Sequence, residues 1–224
     1  MMAPRSLTTL QLTHQGQGAG STQSIFSLSR ELARRGHRVL VGCPADTLLA
    51  GMVAAAPPLT HVPLDFTRTR DVAHAIAATI AEDRVHVVNS HATGDRRALT
   101  WLRWRGRLPQ AFVVTRRTMP LTSPPELIAV GLTADRTIAV SAAVARSLRR
   151  RLHPGGRLRI VTNGIDLQRV DAEPTRAELA EVESVIGNSG GDRPVVLVVA
   201  RRKDQHILLR ALPALERPVT VAFV

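Results

Sequence analysis

Apolar runs of four to six residues alternate with helical stretches along most of the chain. Continuous apolar runs of this length predict strands that are buried on both faces, with helices between them. The predicted strands span residues 7–13, 38–42, 60–63, 85–89, 112–115, 137–140 and 158–161, and the predicted helices span residues 22–35, 46–55, 71–83, 95–105 and 142–152. This alternation predicts an α/β fold with a doubly wound, Rossmann-like parallel sheet.

Two of the predicted helix ends carry typical capping residues. Gly36 follows Arg34 and Arg35, so the first helix ends with cations in its last turn and a glycine just beyond it. Ser141 precedes an alanine-rich stretch, where its hydroxyl is expected to cap the helix that starts at residue 142.

The α/β pattern restarts after a polar break. A helix is predicted at 175–185, a flexible Gly/Ser/Asn segment follows at 187–192, and a strand, a helix and a strand are predicted at 194–200, 204–215 and 219–224. We therefore expect a first domain over residues 1–170, an inter-domain helix and linker over 171–192, and the start of an incomplete second domain over 193–224.

The chain is strongly basic, with 30 Lys+Arg against 18 Asp+Glu and a net charge of +12. An excess of this size favours polyanionic partners, although a merely solvated basic surface is the alternative. Lys203 is the sole lysine, and this preference for arginine resembles the coding bias of a GC-rich genome. Aromatic residues make up 3% and tyrosine is absent, so the stacking platforms of single-strand nucleic-acid readers are not expected.

The single cysteine, Cys43, excludes a disulfide framework and a zinc site built on cysteines. It suits a reducing compartment. Residues 1–13 do not resemble a signal peptide, and no run reaches the ~20 apolar residues that span a bilayer. We therefore expect a cytoplasmic location.

A glycine-rich loop follows the first predicted strand, with glycines at 16, 18 and 20. Such a loop lets a ligand approach the backbone and the free N–H groups of the next helix. Ser21 stands where a dinucleotide fingerprint needs its third glycine, and Cys43 follows the second strand where an acidic residue is needed, so a nicotinamide cofactor is not expected. A purely structural glycine turn is the alternative.

Three further groups follow predicted strands, where ligands bind in an open parallel sheet. His91 follows the strand at 85–89 and is placed to hydrogen-bond a sugar hydroxyl, or else to satisfy local backbone. Arg116 and Arg117 are placed for an anionic acceptor, with a solvated loop as the alternative. The segment Arg201-Arg202-Lys203 precedes a helix and suits a diphosphate, with a basic surface loop as the alternative.

Several segments together resemble the family-4 retaining glycosyltransferases of the GT-B fold. They are Gly18-Ala-Gly-Ser, Leu32-Ala-Arg-Arg-Gly-His-Arg-Val-Leu-Val, Val87-Val-Asn-Ser-His, Ala134-Asp-Arg-Thr-Ile-Ala-Val-Ser, Arg159-Ile-Val-Thr-Asn-Gly-Ile-Asp and Val199-Ala-Arg-Arg-Lys-Asp-Gln-His-Ile-Leu-Leu-Arg-Ala-Leu. Their order and spacing are similar to the family's amino-terminal domain and the opening of its second domain. The resemblance implies an acceptor-side first domain and a second domain that binds a nucleotide-diphosphate sugar.

The resemblance also implies roles for particular residues. His91 matches a catalytic-cleft position near the transferred sugar. The positions expected to bind the donor diphosphate are Gly18, Ala19, Gly20, Arg201 and Lys203. The positions expected to bind the acceptor are Gln17, Ser21, Arg116, Arg117 and Asn163. Neither a metal nor a cofactor is expected, because cations and helix amino termini stabilise the departing diphosphate.

The chain departs from the family pattern in two ways. The family usually has more residues between the arginine and the lysine than the single Arg202 found here. The family's paired-glutamate motif is also missing; Glu173 and Glu181 have its spacing, but their position before the second sheet predicts a solvated helix face. We therefore expect an incomplete donor site and no transfer by this chain alone.

Three functions compete at this point. The first is a glycosyltransferase that acts on a lipid-linked or polysaccharide acceptor in cell-envelope synthesis, such as lipopolysaccharide synthesis. The second is a non-catalytic module that binds a glycolipid or polyanion. The third is a sugar-nucleotide epimerase or hydrolase of similar architecture, for which the sequence offers no carboxylate or histidine cluster.

Arginine clusters at two helix ends further predict peripheral, salt-sensitive attachment to an anionic membrane, at the inner face of the cytoplasmic membrane. They comprise Arg103, Arg105 and Arg107 beside Trp101 and Trp104, and Arg146, Arg149, Arg150 and Arg151.

Overall fold

The computed structural model describes residues 6–18, 20–118, 124–151, 153–165, 167, 171–186, 194–199 and 205–223. The chain divides into two compact units, Met1–Gly164 and Ile165–Val224. The division falls near the end of the expected first domain at residue 170.

The first unit is built from parallel strands with helices between them. The strands are β1 (Thr8–Leu12), β2 (Arg38–Cys43), β3 (Thr60–Pro63), β4 (Val87–Ser90), β5 (Ala111–Arg116), β6 (Arg136–Ala139) and β7 (Leu158–Ile160). The helices are α1 (Gly20–Arg34), α2 (Leu48–Ala54), α3 (Thr69–Glu82), α4 (Thr93–Trp104), α5 (Pro124–Thr133) and α6 (Ala142–Arg150). All seven strands form one parallel sheet in the order β3-β2-β1-β4-β5-β6-β7. The predicted doubly wound sheet is thereby confirmed.

Apolar side chains cover both faces of this sheet. In β2, Leu40 joins a cluster with Ile76 of α3 and Leu99 of α4. Its neighbours Val39 and Val41 join a second cluster with residues of α1 and α2. Successive residues of a strand point to opposite faces, so a strand buried on both sides has a continuous apolar sequence.

Both predicted caps are present. Gly36 has a positive φ of 84°, which glycine adopts without steric cost. The Ser141 hydroxyl accepts a hydrogen bond from the amide of Val144 and caps α6.

Helix α5 was not predicted, because no element was assigned between the strands at 112–115 and 137–140. The helix begins with Pro124 and Pro125, which interrupt the pattern of a regular helix. Proline is nevertheless favoured in the first turn, where its missing N–H would have no helical partner.

The second unit contains α7 (Arg176–Ile186), β8 (Val195–Val198), α8 (Gln205–Ala211) and β9 (Thr220–Phe223). Strands β8 and β9 pair in parallel. Among the described residues, every buried apolar side chain lies at or before Leu158, whereas Leu197 of β8 is 56% exposed. Glu173 and Glu181 are exposed, but only Glu181 lies on the predicted helix face, because α7 begins after Glu173. Within the described residues, no helix is long and apolar enough to cross a membrane.

Candidate functional site

The order in which strands are added to the sheet reverses at β1: β2 and β3 lie on one side of it and β4 to β7 on the other, so β1 and β4 are neighbours although three strands apart in sequence. In such sheets, ligands bind in the crevice at the carboxyl ends of the strands on either side of this point. Here the crevice is bordered by residues that follow Leu12 and Ser90, and by residues at the end of the next strand, β5.

His91 follows β4, and both nitrogens of its ring are hydrogen-bonded. Its Nε2 lies 2.9 Å from Gln11 Oε1, and its Nδ1 lies 2.7 Å from Arg117 Nη1. Because a guanidinium only donates, Nδ1 must accept and the proton of the neutral ring must be on Nε2. Burial and the adjacent Arg117 lower the pKa of His91 to about 3. The imidazole is therefore neutral at physiological pH.

A short polar network continues outward from His91. The Arg117 guanidinium donates to Ser24 Oγ over 3.3 Å from Nη2, and Ser24 Oγ donates to Asn163 Oδ1 over 3.3 Å. On the inner side, Asn89 Nδ2 donates to Gln11 Oε1 over 3.0 Å. The fold thus brings together three of the residues singled out in the sequence, His91, Arg117 and Asn163.

Asp95 in the first turn of α4 holds the ends of β1 and β4 together, and its side chain is fully buried. Its Oδ2 accepts from Ser90 Oγ at 2.7 Å and from the amides of His91 and Ala92 at 2.9 Å. Its Oδ1 accepts from the amide of His14 at 3.3 Å. Burial alone raises the pKa of Asp95, but the hydrogen bonds from His14, Ser90 and backbone outweigh it, and the pKa is lowered.

Neither His14 nor Asp95 was singled out by the sequence analysis. The available signals were His14, directly after the first predicted strand, and Asp95, at the start of the predicted helix that follows the fourth strand. These two positions become neighbours only once β1 and β4 are known to be adjacent, which the order of strands in the sequence does not reveal.

Arg116 and Arg117 do not lie in a solvated loop, so that alternative was wrong. Arg116 is 7% exposed and Arg117 is partly buried, and burial lowers the pKa of each to about 10. A third guanidinium, that of Arg96, is 3% exposed, and its charge also lowers the pKa of Arg116. The nearby carboxylates are those of Asp95 and Glu126.

The glycines of the loop differ in their surroundings, and Gly16 fits the structural interpretation. Gly16 is buried, and a Cβ added there would lie 2.5 Å from Thr47 Oγ1, so this glycine is required by packing. Gly20 is exposed at the start of α1, and a Cβ there would meet nothing within 4 Å. Gln17 and Gly18 are exposed and Ser21 is partly buried.

The hydrogen bonds found among the described residues do not join Gln17, Gly18, Gly20 or Ser21 to the His91–Arg117 network. Ala19, Arg201 and Lys203 lie outside the described residues. Within the described ranges, no group of three or more His, Cys, Asp and Glu side chains is arranged to hold a metal ion.

The sheet order defines a Rossmann-like α/β domain, and comparisons with known proteins show its family. The model of Glycosyltransferase Family 4 matches residues 18–169, which is more than half of the 224 residues. The chain therefore belongs to glycosyltransferase family 4. No match was found among curated proteins.

Solved structures share the fold at low sequence identity. The Anabaena protein HepE, solved in complex with UDP-glucose, is 16% identical with a TM-score of 0.75; the match covers 97% of this chain and 59% of HepE. A glycosyltransferase from Rickettsia africae ESF-5 is 17% identical with a TM-score of 0.76, covering 98% and 60%. A Listeria monocytogenes protein described as a putative UDP-N-acetylglucosamine 2-epimerase is 12% identical with a TM-score of 0.62, covering 98% and 62%. This chain thus spans about 60% of the length of HepE and the Rickettsia enzyme.

Proposed function

We propose that this chain is the acceptor-side part of a retaining glycosyltransferase that moves a sugar from a nucleotide-diphosphate sugar to a lipid-linked or polysaccharide acceptor of the cell envelope. The observation that carries the proposal is the family match over residues 18–169, combined with the polar network at the sheet's reversal point. The similar fold of HepE, solved with UDP-glucose, supports a UDP-sugar as donor.

The proposed donor side contains Gly18, Ala19, Gly20, Arg201 and Lys203. Gly20 supports this assignment because it is exposed and unobstructed at the amino terminus of α1, where free N–H groups favour anions. His91 is proposed to contact the transferred sugar. For that contact, a sugar hydroxyl must replace one of its bonds to Gln11 or Arg117.

The proposed acceptor side contains Gln17, Ser21, Arg116, Arg117 and Asn163, and its acceptor carries an anionic group. The hydrogen-bond partners of the Arg117 guanidinium are the neutral side chains of His91 and Ser24, and burial lowers its pKa to about 10. Burying a charge beside neutral partners costs free energy. A phosphate or carboxylate on the acceptor would offset that cost and bind tightly for the same reason.

Acceptor binding is tested by titrating the chain with glucose 1-phosphate and with neutral methyl glucoside. We expect the phosphate to bind more tightly, and Arg117→Gln to weaken its binding about tenfold through loss of a charge-assisted hydrogen bond. Arg97→Gln is the matched control, because the Arg97 side chain is 61% exposed. Equal affinity for both ligands, or equal loss in both variants, would contradict an anionic acceptor.

Transfer itself is tested by joining the chain to a complete second domain of the family and measuring UDP release from UDP-glucose with a lipid-linked acceptor. Release that requires both the acceptor and Arg117 supports the transferase. Binding of glycolipid or polyanion without any release supports the alternative, a non-catalytic binding module.

We also propose peripheral attachment to an anionic membrane. Trp104 at the end of α4 is 68% exposed, and arginines at 105 and 107 flank it. An exposed indole beside cations suits the interface of an anionic bilayer. Co-sedimentation with phosphatidylserine vesicles should decrease from low to high salt and decrease further in Trp104→Ser. Binding that does not change with salt would remove this proposal.

A further inference from the structure

The His14 side chain lies where β1 ends, against the first turn of α4. Its Nδ1 is 3.1 Å from the amide nitrogen of Gly94 and 3.4 Å from Asp95 Oδ1. Its own amide donates to the same carboxylate oxygen over 3.3 Å. The ring also lies near Phe66, with 6.2 Å between the ring centroids. Backbone, carboxylate and aromatic ring together hold the imidazole in one place.

The Gly94 amide determines which nitrogen of His14 carries the proton. An amide in the first turn of a helix has no helical partner and always carries its hydrogen. Because this N–H points at Nδ1 over the shorter of the two distances, Nδ1 accepts, and the proton of the neutral ring is on Nε2. Asp95 Oδ1 approaches the same nitrogen at the longer distance of 3.4 Å.

The Nε2 of His14 differs from both nitrogens of His91. Within the described part of the chain, no hydrogen bond reaches His14 Nε2, and it is not among the buried polar atoms. The side chain is 30% exposed. His91, in contrast, uses both nitrogens within the protein. His14 is thus the imidazole of this pair that presents an N–H group to a ligand without giving up an existing bond.

Gly94 allows the close approach that fixes the ring. A Cβ at this position would lie 3.1 Å from His14 Cγ and 3.3 Å from Nδ1, which is tighter than ordinary van der Waals contact. A side chain at residue 94 would therefore push the imidazole away from the helix end. The glycine serves packing against His14, and it needs no unusual backbone conformation to do so.

We propose that His14 is a hydrogen-bond donor, through Nε2–H, to an oxygen atom of the ligand bound at the sheet's reversal point, and that Gly94 and Asp95 are positioning residues for it. The inference rests on the proposed function for the nature of the ligand, whose oxygen belongs to the diphosphate or to a sugar hydroxyl. A fixed donor of this kind stabilises negative charge on oxygen without reorganisation.

The first test is the tautomer of His14 in the complete chain. Two-bond ¹H–¹⁵N spectra of ¹⁵N-histidine-labelled protein distinguish the two neutral forms, and loss of one signal set in His14→Ala assigns His14 among the eight histidines. We expect the Nε2–H form. The Nδ1–H form, in which Nε2 would accept and serve as a base, overturns the proposal.

The second test follows the same signals in the chain joined to a complete second domain of the family, during titration with UDP-glucose, UDP and methyl α-glucoside. A shift at His14 Nε2 with UDP and UDP-glucose assigns the oxygen to the diphosphate, whereas a shift with UDP-glucose and the glucoside assigns it to the sugar. Shifts elsewhere but not at His14 overturn this inference and leave the proposed function standing. No shift anywhere with any probe overturns both.

Two pairs of variants separate positioning from folding. His14→Ala should weaken binding of the responding probe about tenfold, and His14→Gln should recover part of the loss, because its amide retains a donor near the place of Nε2. Gly94→Ala should displace the His14 signals, whereas Gly51→Ala, with nothing within 4 Å of the added Cβ, should leave them unchanged. Unchanged His14 signals in a folded Gly94→Ala protein contradict the positioning role.

Discussion

At the residue scale, Asp95 and the groups around it decide what the crevice offers to a ligand. One carboxylate fixes the backbone at His91 and at His14, yet the two imidazoles have different surroundings. His91 lies between Gln11 and Arg117, and His14 has one nitrogen without a partner among the described residues. Two side chains of the same type therefore have different chemical capacities, and the difference arises from their neighbours.

The depressed pKa of His91 predicts a pH dependence of stability. In the unfolded chain His91 binds a proton below its ordinary pKa of 6.5, whereas in the folded protein it does so only below about 3. The unfolded state thus binds more protons between these values, and the free energy of unfolding falls as the pH falls from 6.5 toward 3, by at most about 1.4 kcal/mol per unit for this group.

Urea unfolding at a series of pH values measures this dependence. His91→Gln should reduce the slope in that window, because glutamine does not titrate. His74→Gln, at an exposed position of α3, is the matched control and should keep the slope of the parent protein. Equal slopes in the parent and in His91→Gln would show that His91 is not held neutral by the fold.

The sequence singled out part of the polar network at this scale. His91, Arg117 and Asn163 could be singled out because each follows a predicted strand or lies in a family motif, and the fold joins them. Asp95 was interpreted only as the start of a helix. Its role depends on the adjacency of β1 and β4, which is a property of the tertiary fold.

At the element scale, the glycine loop contains two positions at which an added methyl group should affect stability differently. Gly16→Ala should destabilise the protein by about 1–3 kcal/mol, because the added methyl overlaps the side chain of Thr47, which caps α2. Gly20→Ala should not destabilise it, because the space is open and alanine favours a helix. Thermal unfolding of the two variants makes the comparison. Equal loss in both would contradict the assignment of Gly16 to packing.

The seven strands of the first unit were all predicted, whereas one of its helices was not. Apolar runs marked the inner strands of the sheet, since both faces are covered there. The edge strands β3 and β7 were predicted from shorter runs and are more exposed. Helix α5 was missed because its two leading prolines obscure a helical pattern, although they fit the first turn. Local sequence rules fail where one residue type both interrupts and starts a helix.

At the scale of the whole molecule, the core belongs to the first unit. Among the described residues, the buried apolar side chains end at Leu158, before the division at Gly164. A chain that stops at Gly164 should therefore keep the melting temperature of the full chain within about 2 °C, since little burial is lost. Differential scanning calorimetry of both chains measures it. A much lower melting temperature would show that residues after 164 stabilise the first unit.

The carboxylate shared by the two strand ends has a thermodynamic consequence. Groups that share a partner are energetically coupled, so a change at one is felt at the other. On the proposed function, a ligand that binds His14 would alter the energy of the His91–Arg117 arrangement, and an acceptor that binds Arg117 would alter the affinity at His14 by the same factor. Asp95 would thus couple the two binding events, so that the first ligand to bind would change the affinity for the second.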